Sequence, residues 1–130
     1  MKKIIFTLLI FFNFLHAEVI RVYPSQKILQ QHIPIVDIRT PEEWRETGLV
    51  KGSIPIMFFD HRGNYDIERF LKALHKNVDT SKPFALICHT GQRTAIVSAF
   101  LSKEFNYTVI DIAGGIEEAK RRKLPITPYL

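Results

Sequence analysis

The chain has 130 residues, 46% hydrophobic and 24% charged, with 18 Lys and Arg against 13 Asp and Glu and a formal charge of +5. These proportions lie in the ordinary globular range and fit one domain. A single cysteine, Cys88, excludes a disulfide-stapled scaffold and a Cys-rich zinc or iron–sulfur site built from this chain alone, because each needs several thiolates close together.

The mean hydropathy of +0.01 averages two unlike parts. Met1-Lys2-Lys3 is a short basic start, and Ile4 to Leu15 is apolar except for Thr7 and Asn13. A spanning helix needs about 20 apolar residues to cross roughly 30 Å of hydrocarbon, and this run stops at His16 and Glu18. Residues 1–17 therefore read as a signal peptide cleaved after Ala17, with export to a bacterial periplasm as the expectation. The bulky Leu15 departs from the small-residue rule at such sites, so an uncleaved membrane anchor is the alternative. Cleavage leaves residues 18–130 as the domain and, with Lys2 and Lys3 gone, lowers the formal charge from +5 to +3. The run Lys120-Arg121-Arg122-Lys123 lacks interleaved aromatics and reads as a solvated helix end, with no nucleic-acid partner expected.

Strand and helix patterns alternate along the remaining chain. Val19–Val22 is a short β-type run, and Ser25 is placed to cap a helix through Gln31. Ile33–Ile38 is a buried-strand pattern containing Asp37. Thr40-Pro41-Glu42-Glu43 supplies an N-cap, a proline at the first helical position and a capping-box glutamate, and Gly48 can stop that helix. Ile54–Phe59 reads as a strand with Pro55 at its start or on an edge. Asp66 can cap a helix over Ile67–Lys76, with Ile67, Phe70, Leu71 and Leu74 at helical spacing. Phe84–Ile87 is a buried strand leading straight to Cys88. A helix is expected over Thr94–Phe105, with Ile96, Ala99, Phe100 and Lys103 on one stripe. Tyr107–Ile112 is the last strand, followed by the Gly114-Gly115 turn and a helix over Ile116–Arg122. This alternation implies an α/β domain with a mostly parallel, five-stranded sheet and helices on both faces.

In such sheets, sites form at the carboxyl ends of strands, and Cys88 is at one. The loop Cys88-His89-Thr90-Gly91-Gln92-Arg93 reverses the chain between a strand and a helix. Gly91 tolerates positive φ, so successive backbone N–H groups can turn inward as an anion cradle. The following helix adds its free N–H groups and positive dipole end, and Arg93 adds a cation; together they favour a thiolate at Cys88. The bland reading of a lone Cys after an apolar strand is a small core residue. Gly91 and Arg93 at their spacing in a strand–loop–helix frame favour a nucleophile instead. His89 either tunes the loop or is a plain exposed histidine. No metal-ligand spacing is visible, and no cofactor is expected.

The loop, with Thr94-Ala95 after it, resembles the active-site pattern of the rhodanese-like sulfurtransferases: Cys, two residues, Gly, one residue, Arg, then a small residue. Ile35-Val36-Asp37-Ile38-Arg39 with Pro41-Glu42-Glu43-Trp44 is similar to that family's upstream signature. Gly52-Ser53-Ile54-Pro55 and the stretch Val109 to Pro125 match two further segments in order. Ser53, Ile56 and Ala119 stand where the family usually has His, Gly and Trp, which bears on packing and on the approach to the site. The resemblance implies a double displacement in which Cys88 takes the outer sulfur of thiosulfate or another sulfane-sulfur donor as a persulfide. A thiol, cyanide or protein acceptor then removes it.

Under this reading His89, Thr90, Gly91, Gln92 and Arg93 form the substrate loop, and Asp37, Arg39, Glu43 and Thr94 support it. Arg93 either binds the anionic donor or braces the loop against Asp37 or Glu43. A persulfide carrier or non-catalytic interaction module for a protein partner is the alternative. A cysteine phosphatase or arsenate reductase fits less well, because only His89-Thr90-Gly91-Gln92 separate Cys88 from Arg93, a small ring for a phosphoryl group.

Overall fold

The computed structural model describes residues 17–130, so the segment read as a signal peptide lies, apart from Ala17, outside the described residues. The elements in chain order are β1 (Val19–Val22), α1 (Gln26–Gln30), β2 (Ile35–Asp37), α2 (Pro41–Thr47), β3 (Leu49–Val50), β4 (Ile54–Pro55), α3 (Ile67–Asn77), β5 (Phe84–Ile87), α4 (Gln92–Phe105), β6 (Val109–Ile112), α5 (Gly115–Arg121) and β7 (Ile126–Thr127). Five strands form one parallel sheet in the order β1-β6-β5-β2-β4, and β3 pairs antiparallel with β7 in a small second sheet.

Strand alternation divides the core in two. Val36, Ile38, Phe84, Leu86 and Val109 pack on one face with Phe70 and Leu74 of α3 and Val97 and Leu101 of α4. Ile35, Ala85, Ile87, Ile110 and Ile112 pack on the other with Ile28 of α1 and Ile116 and Ala119 of α5. Neighbouring residues of a strand point to opposite faces, so strands buried on both sides must be apolar almost throughout. The same alternation carries Cys88 onto the α3/α4 face in line with Phe84 and Leu86.

The chain leaves β2 toward the edge strand β4 and leaves β5 in the opposite direction, toward β6. Their carboxyl ends therefore flank a topological switch point, where the departing connections open a crevice. The loops after β2 and β5 meet there.

Several local expectations change. The strand expected over Ile54–Phe59 is only Ile54–Pro55. Pro55 has no N–H to continue a ladder; beyond it Ile56 and Phe58 donate to the carbonyls of Asp37 and Ile38, and Phe59 bridges to Tyr65. The edge position expected for Pro55 holds, but Pro55 ends the strand instead of starting it. Helix α4 begins at Gln92, ahead of the expected Thr94, and it buries Thr94, Val97, Ser98 and Leu101. The expected stripe faces outward: Ile96 is 62% exposed, Ala99 and Lys103 are exposed, and Phe100 is half-buried. An apolar-rich helix offers more than one helically spaced face, and the one α4 buries takes Val97 and Leu101 into the core shared with α3, with Thr94 and Ser98 beside them. Ser25 occupies the N-cap of α1 without a side-chain bond; its carbonyl accepts from Ile28 instead. The capping box at Thr40 and Glu43 and the cap of α3 by Asp66 form as read from the sequence.

Candidate active site

Cys88 follows β5 directly and is 1% exposed. Gly91 takes a left-handed conformation, φ 97°, that closes the turn and serves as N-cap of α4. Its N–H donates to Cys88 Sγ at 3.2 Å. A Cβ on Gly91 would lie 2.9 Å from the Gly114 nitrogen, so a side chain is excluded by contact as well as by φ.

The Gly114-Gly115 turn holds the loop from behind. Ile116 N–H donates to the Cys88 carbonyl at 2.8 Å and Glu117 N–H to the His89 carbonyl at 3.2 Å, so the start of α5 uses its free donors on the cysteine loop. An amide's N–H lies anti to its C=O, so the N–H groups of His89 and Thr90 point away from α5. Gly115 is obligatory for this approach, since a Cβ there would come within 2.4 Å of the His89 carbonyl oxygen.

A second contact to the sulfur comes from Thr94. Cys88 Sγ lies 3.7 Å from Thr94 Oγ1, which donates to Asp111 Oδ1 at 2.7 Å. With its proton directed at Asp111, the hydroxyl offers a lone pair to the cysteine S–H. Asp111 is 3% exposed in the middle of β6 and was not singled out from the sequence. The available signal was an acidic residue within the otherwise apolar run Val109-Ile110-Asp111-Ile112; a buried carboxylate there needs a partner.

The two basic side chains of the loop each meet a carboxylate. Arg93 forms a bidentate pair with Glu43, Nη1 to Oε1 at 2.8 Å and Nη2 to Oε2 at 2.7 Å. Hydrogen bonding to Arg93 is the largest influence on Glu43; against the opposing effect of burial, and with Arg93's charge and the Thr40 hydrogen bonds, it lowers the pKa to about 2. Arg93 is raised above the usual arginine range, first by the bond to Glu43, against burial, and then by the charges of Glu43, Cys88 and Asp37. His89 Nε2 is 2.9 Å from Glu117 Oε1 at the surface. Thr90 and Gln92 are exposed.

Of the two partners open to Arg93, Glu43 is the one it takes. Asp37 belongs to Arg39: its carboxylate accepts from Arg39 Nε at 3.0 Å, Arg39 Nη2 at 2.9 Å and the Trp44 indole at 3.1 Å. Asp37 and Arg39 therefore shape the β2–α2 connection without reaching the cysteine loop. A cavity of about 430 Å³ opens beside α2, lined by Pro41, Trp44, Phe58, Tyr65, Arg69 and Phe70 among others, and Cys88 is not among its lining residues. Among the described residues no three His, Cys, Asp or Glu side chains gather as a metal site. The basic run at the end of α5 is partly neutralised, with Arg121 and Arg122 both bonded to Glu118.

Fold and site together define a class: parallel α/β domains in which a cysteine leaves a central strand into a tight backbone loop at the switch point. A profile of the Rhodanese-like domain matches residues 25–122, and the chain belongs to that family. It is 28% identical over 93 residues to the uncharacterised protein RP600 of Rickettsia prowazekii, covering 69% of this chain and 74% of that protein. Among solved structures it is similar to Rv0390 of M. tuberculosis, with TM-score 0.69 and 17% identity over 87% of this chain and 99% of that one. It is also similar to the polysulfide-sulfur transferase homodimer of Wolinella succinogenes, with TM-score 0.64 and 21% identity over 85% and 80% of the two chains. A rhodanese-related protein of Thermoplasma volcanium aligns with TM-score 0.60 and 25% identity over 79% and 91%.

Proposed function

We propose that the protein is a sulfurtransferase in which Cys88 accepts the sulfane sulfur of a small donor, such as thiosulfate, and passes it to a thiophilic acceptor. The observation that carries this reading is the sulfur's setting. Cys88 Sγ accepts the Gly91 N–H at 3.2 Å, in a loop whose carbonyls are tied back by α5. The Cys88 thiolate attacks the outer sulfur, the donor's bond to that sulfur breaks and the remainder leaves with the electron pair. With thiosulfate as donor the resulting persulfide is anionic, and the Gly91 N–H directed at the sulfur helps to stabilise the charge with no reorganisation during the reaction. The likeness to a polysulfide-sulfur transferase supports sulfur transfer as the chemistry to test. Residues 1–17 are proposed as an export signal, with the domain acting in the periplasm; the mass of the protein isolated from its source checks the cleavage.

The decisive experiment is intact mass spectrometry after exposure to thiosulfate, polysulfide and an organic persulfide, followed by addition of cyanide. The wild-type domain is expected to gain about 32 Da, one persulfide sulfur, and to release it as thiocyanate. Cys88→Ser is expected to gain nothing. Loading without turnover favours a carrier for a protein acceptor, and absence of loading by every donor refutes the proposal.

A further inference from the structure

Each basic side chain of the cysteine loop is held by a carboxylate, which bears on the donor. Arg93 is the only permanently charged cation in the loop from Cys88 to Arg93, and Glu43 meets it through two hydrogen bonds. Glu43 is not a loose counter-ion that an incoming anion could push aside. Its Oε1 also accepts from the Thr40 hydroxyl at 3.1 Å and the Thr40 N–H at 3.4 Å, so the capping box of α2 fixes it from behind. His89 is likewise matched by Glu117. Two further carboxylates lie close by, Asp37 answered by Arg39 and Asp111 bonded to the Thr94 hydroxyl. The surroundings of Cys88 thus carry no cationic surplus in these contacts, and the attraction for an anion that they leave is that of backbone N–H groups such as Gly91's.

Resting on the sulfurtransferase reading, we propose that Glu43 sets the charge class of the donor: by holding Arg93 it makes the site select an organic persulfide, reacting through its protonated form R–S–SH, over dianionic thiosulfate. With the persulfide, the Cys88 thiolate attacks the terminal sulfur, the R–S bond to that sulfur breaks, and RS⁻ leaves with the electron pair while Cys88 becomes Cys88–S–SH. One negative charge is present throughout. With thiosulfate the same attack expels sulfite, and three negative charges share the site from encounter to product. A backbone cradle suits one charge on one sulfur, whereas a sulfonate group needs a free cation at the mouth. Glu43 is on this view a positioning residue that acts through Arg93.

The test compares kcat/KM for cysteine persulfide and for thiosulfate, with cyanide as acceptor. The wild-type domain is expected to prefer the persulfide by about tenfold or more, the scale of one unfavourable charge contact at a partly buried site. Glu43→Gln keeps a side chain able to complete the capping box but removes the charge. It should narrow the preference by about fivefold, mainly through a lower KM for thiosulfate, as expected when an anion gains a free guanidinium. Glu117→Gln should act in the same direction and less, its side chain being 57% exposed against 27% for Glu43, and it keeps the test open if Glu43→Gln fails to fold. Equal use of both donors by the wild type, or an unchanged ratio in folded variants, overturns the proposal. If no donor loads Cys88, the sulfurtransferase reading itself falls, whereas loading without preference overturns only the role of Glu43.

Discussion

Arg39 and Arg93 both donate charged hydrogen bonds to carboxylates at the carboxyl ends of the sheet, but one pair is sealed and the other faces out. The Arg39–Asp37 side chains are 0% exposed, and those of Arg93 and Glu43 each keep 27%. Arg39 reaches its partners through local chain: Asp37, the Thr47 hydroxyl and the Gly48 carbonyl, all within nine residues. Arg93 and Glu43 are fifty residues apart and join two loops that only the sheet brings together. The sealed pair fixes the path of one connection. The open pair joins two connections and keeps part of both side chains exposed. The difference shows that ion pairs of similar length vary in what they can do according to what covers them: the sealed pair is locked into the fold, and the partly exposed one stays open to solvent.

The largest effect expected from breaking this comparison is on Arg39. Arg39→Ala leaves the buried Asp37 carboxylate without its counter-ion and should cost about 3–5 kcal/mol of stability, read as a lower urea midpoint. A loss near that of a surface pair would show that Asp37 is compensated by Trp44 alone. Arg93→Ala should cost about 1 kcal/mol or less in the same measurement, because the pair is partly solvated. Equal losses from the two arginines would erase the distinction between them.

The smallest effect is a pH dependence carried by Glu43. Its pKa in the folded protein, about 2, lies below the ordinary 4.5, so the folded state binds fewer protons across that window. The stability from the pair is therefore fully present above about pH 4.5 and lost as the pH falls toward 2. Glu118 is also lowered to about 2, by Arg121 and Arg122, and contributes a slope of the same sign. The difference between wild type and Glu43→Gln isolates the Glu43 share: the variant should show the shallower acid dependence, and identical slopes would contradict the assignment.

Much of this architecture could be read from particular residues. The capping box of α2 was legible because Thr40, Pro41 and Glu43 act within one turn, and Phe84–Ile87 because a strand covered on both faces must be apolar. The buried face of α4 was misread. Ile96, Ala99 and Phe100 have the right spacing for a core stripe, but spacing does not say which stripe meets the sheet, and the one that does carries Val97 and Leu101. The strands β3 and β7 were missed because two residues carry no pattern, and their pairing closes over a long stretch of chain. Asp111 was missed for a related reason: its partner, Thr94, is seventeen residues away on another element.

The sequence by itself determined the alternation of strands and helices, the family of the fold, and the lone cysteine after a buried strand with its glycine and arginine. The alternation and the cysteine loop follow from local periodicity, capping chemistry and turn requirements, which act over a few residues; the family follows from the resemblance of four motifs in order. Only the tertiary structure decided that Arg93 takes Glu43 and leaves Asp37 to Arg39, that α5 ties back the Cys88 and His89 carbonyls, and that Asp111 orients the Thr94 hydroxyl. Each of those choices depends on which groups the sheet order brings within hydrogen-bond distance, and residues distant in sequence share no local signal that could announce it.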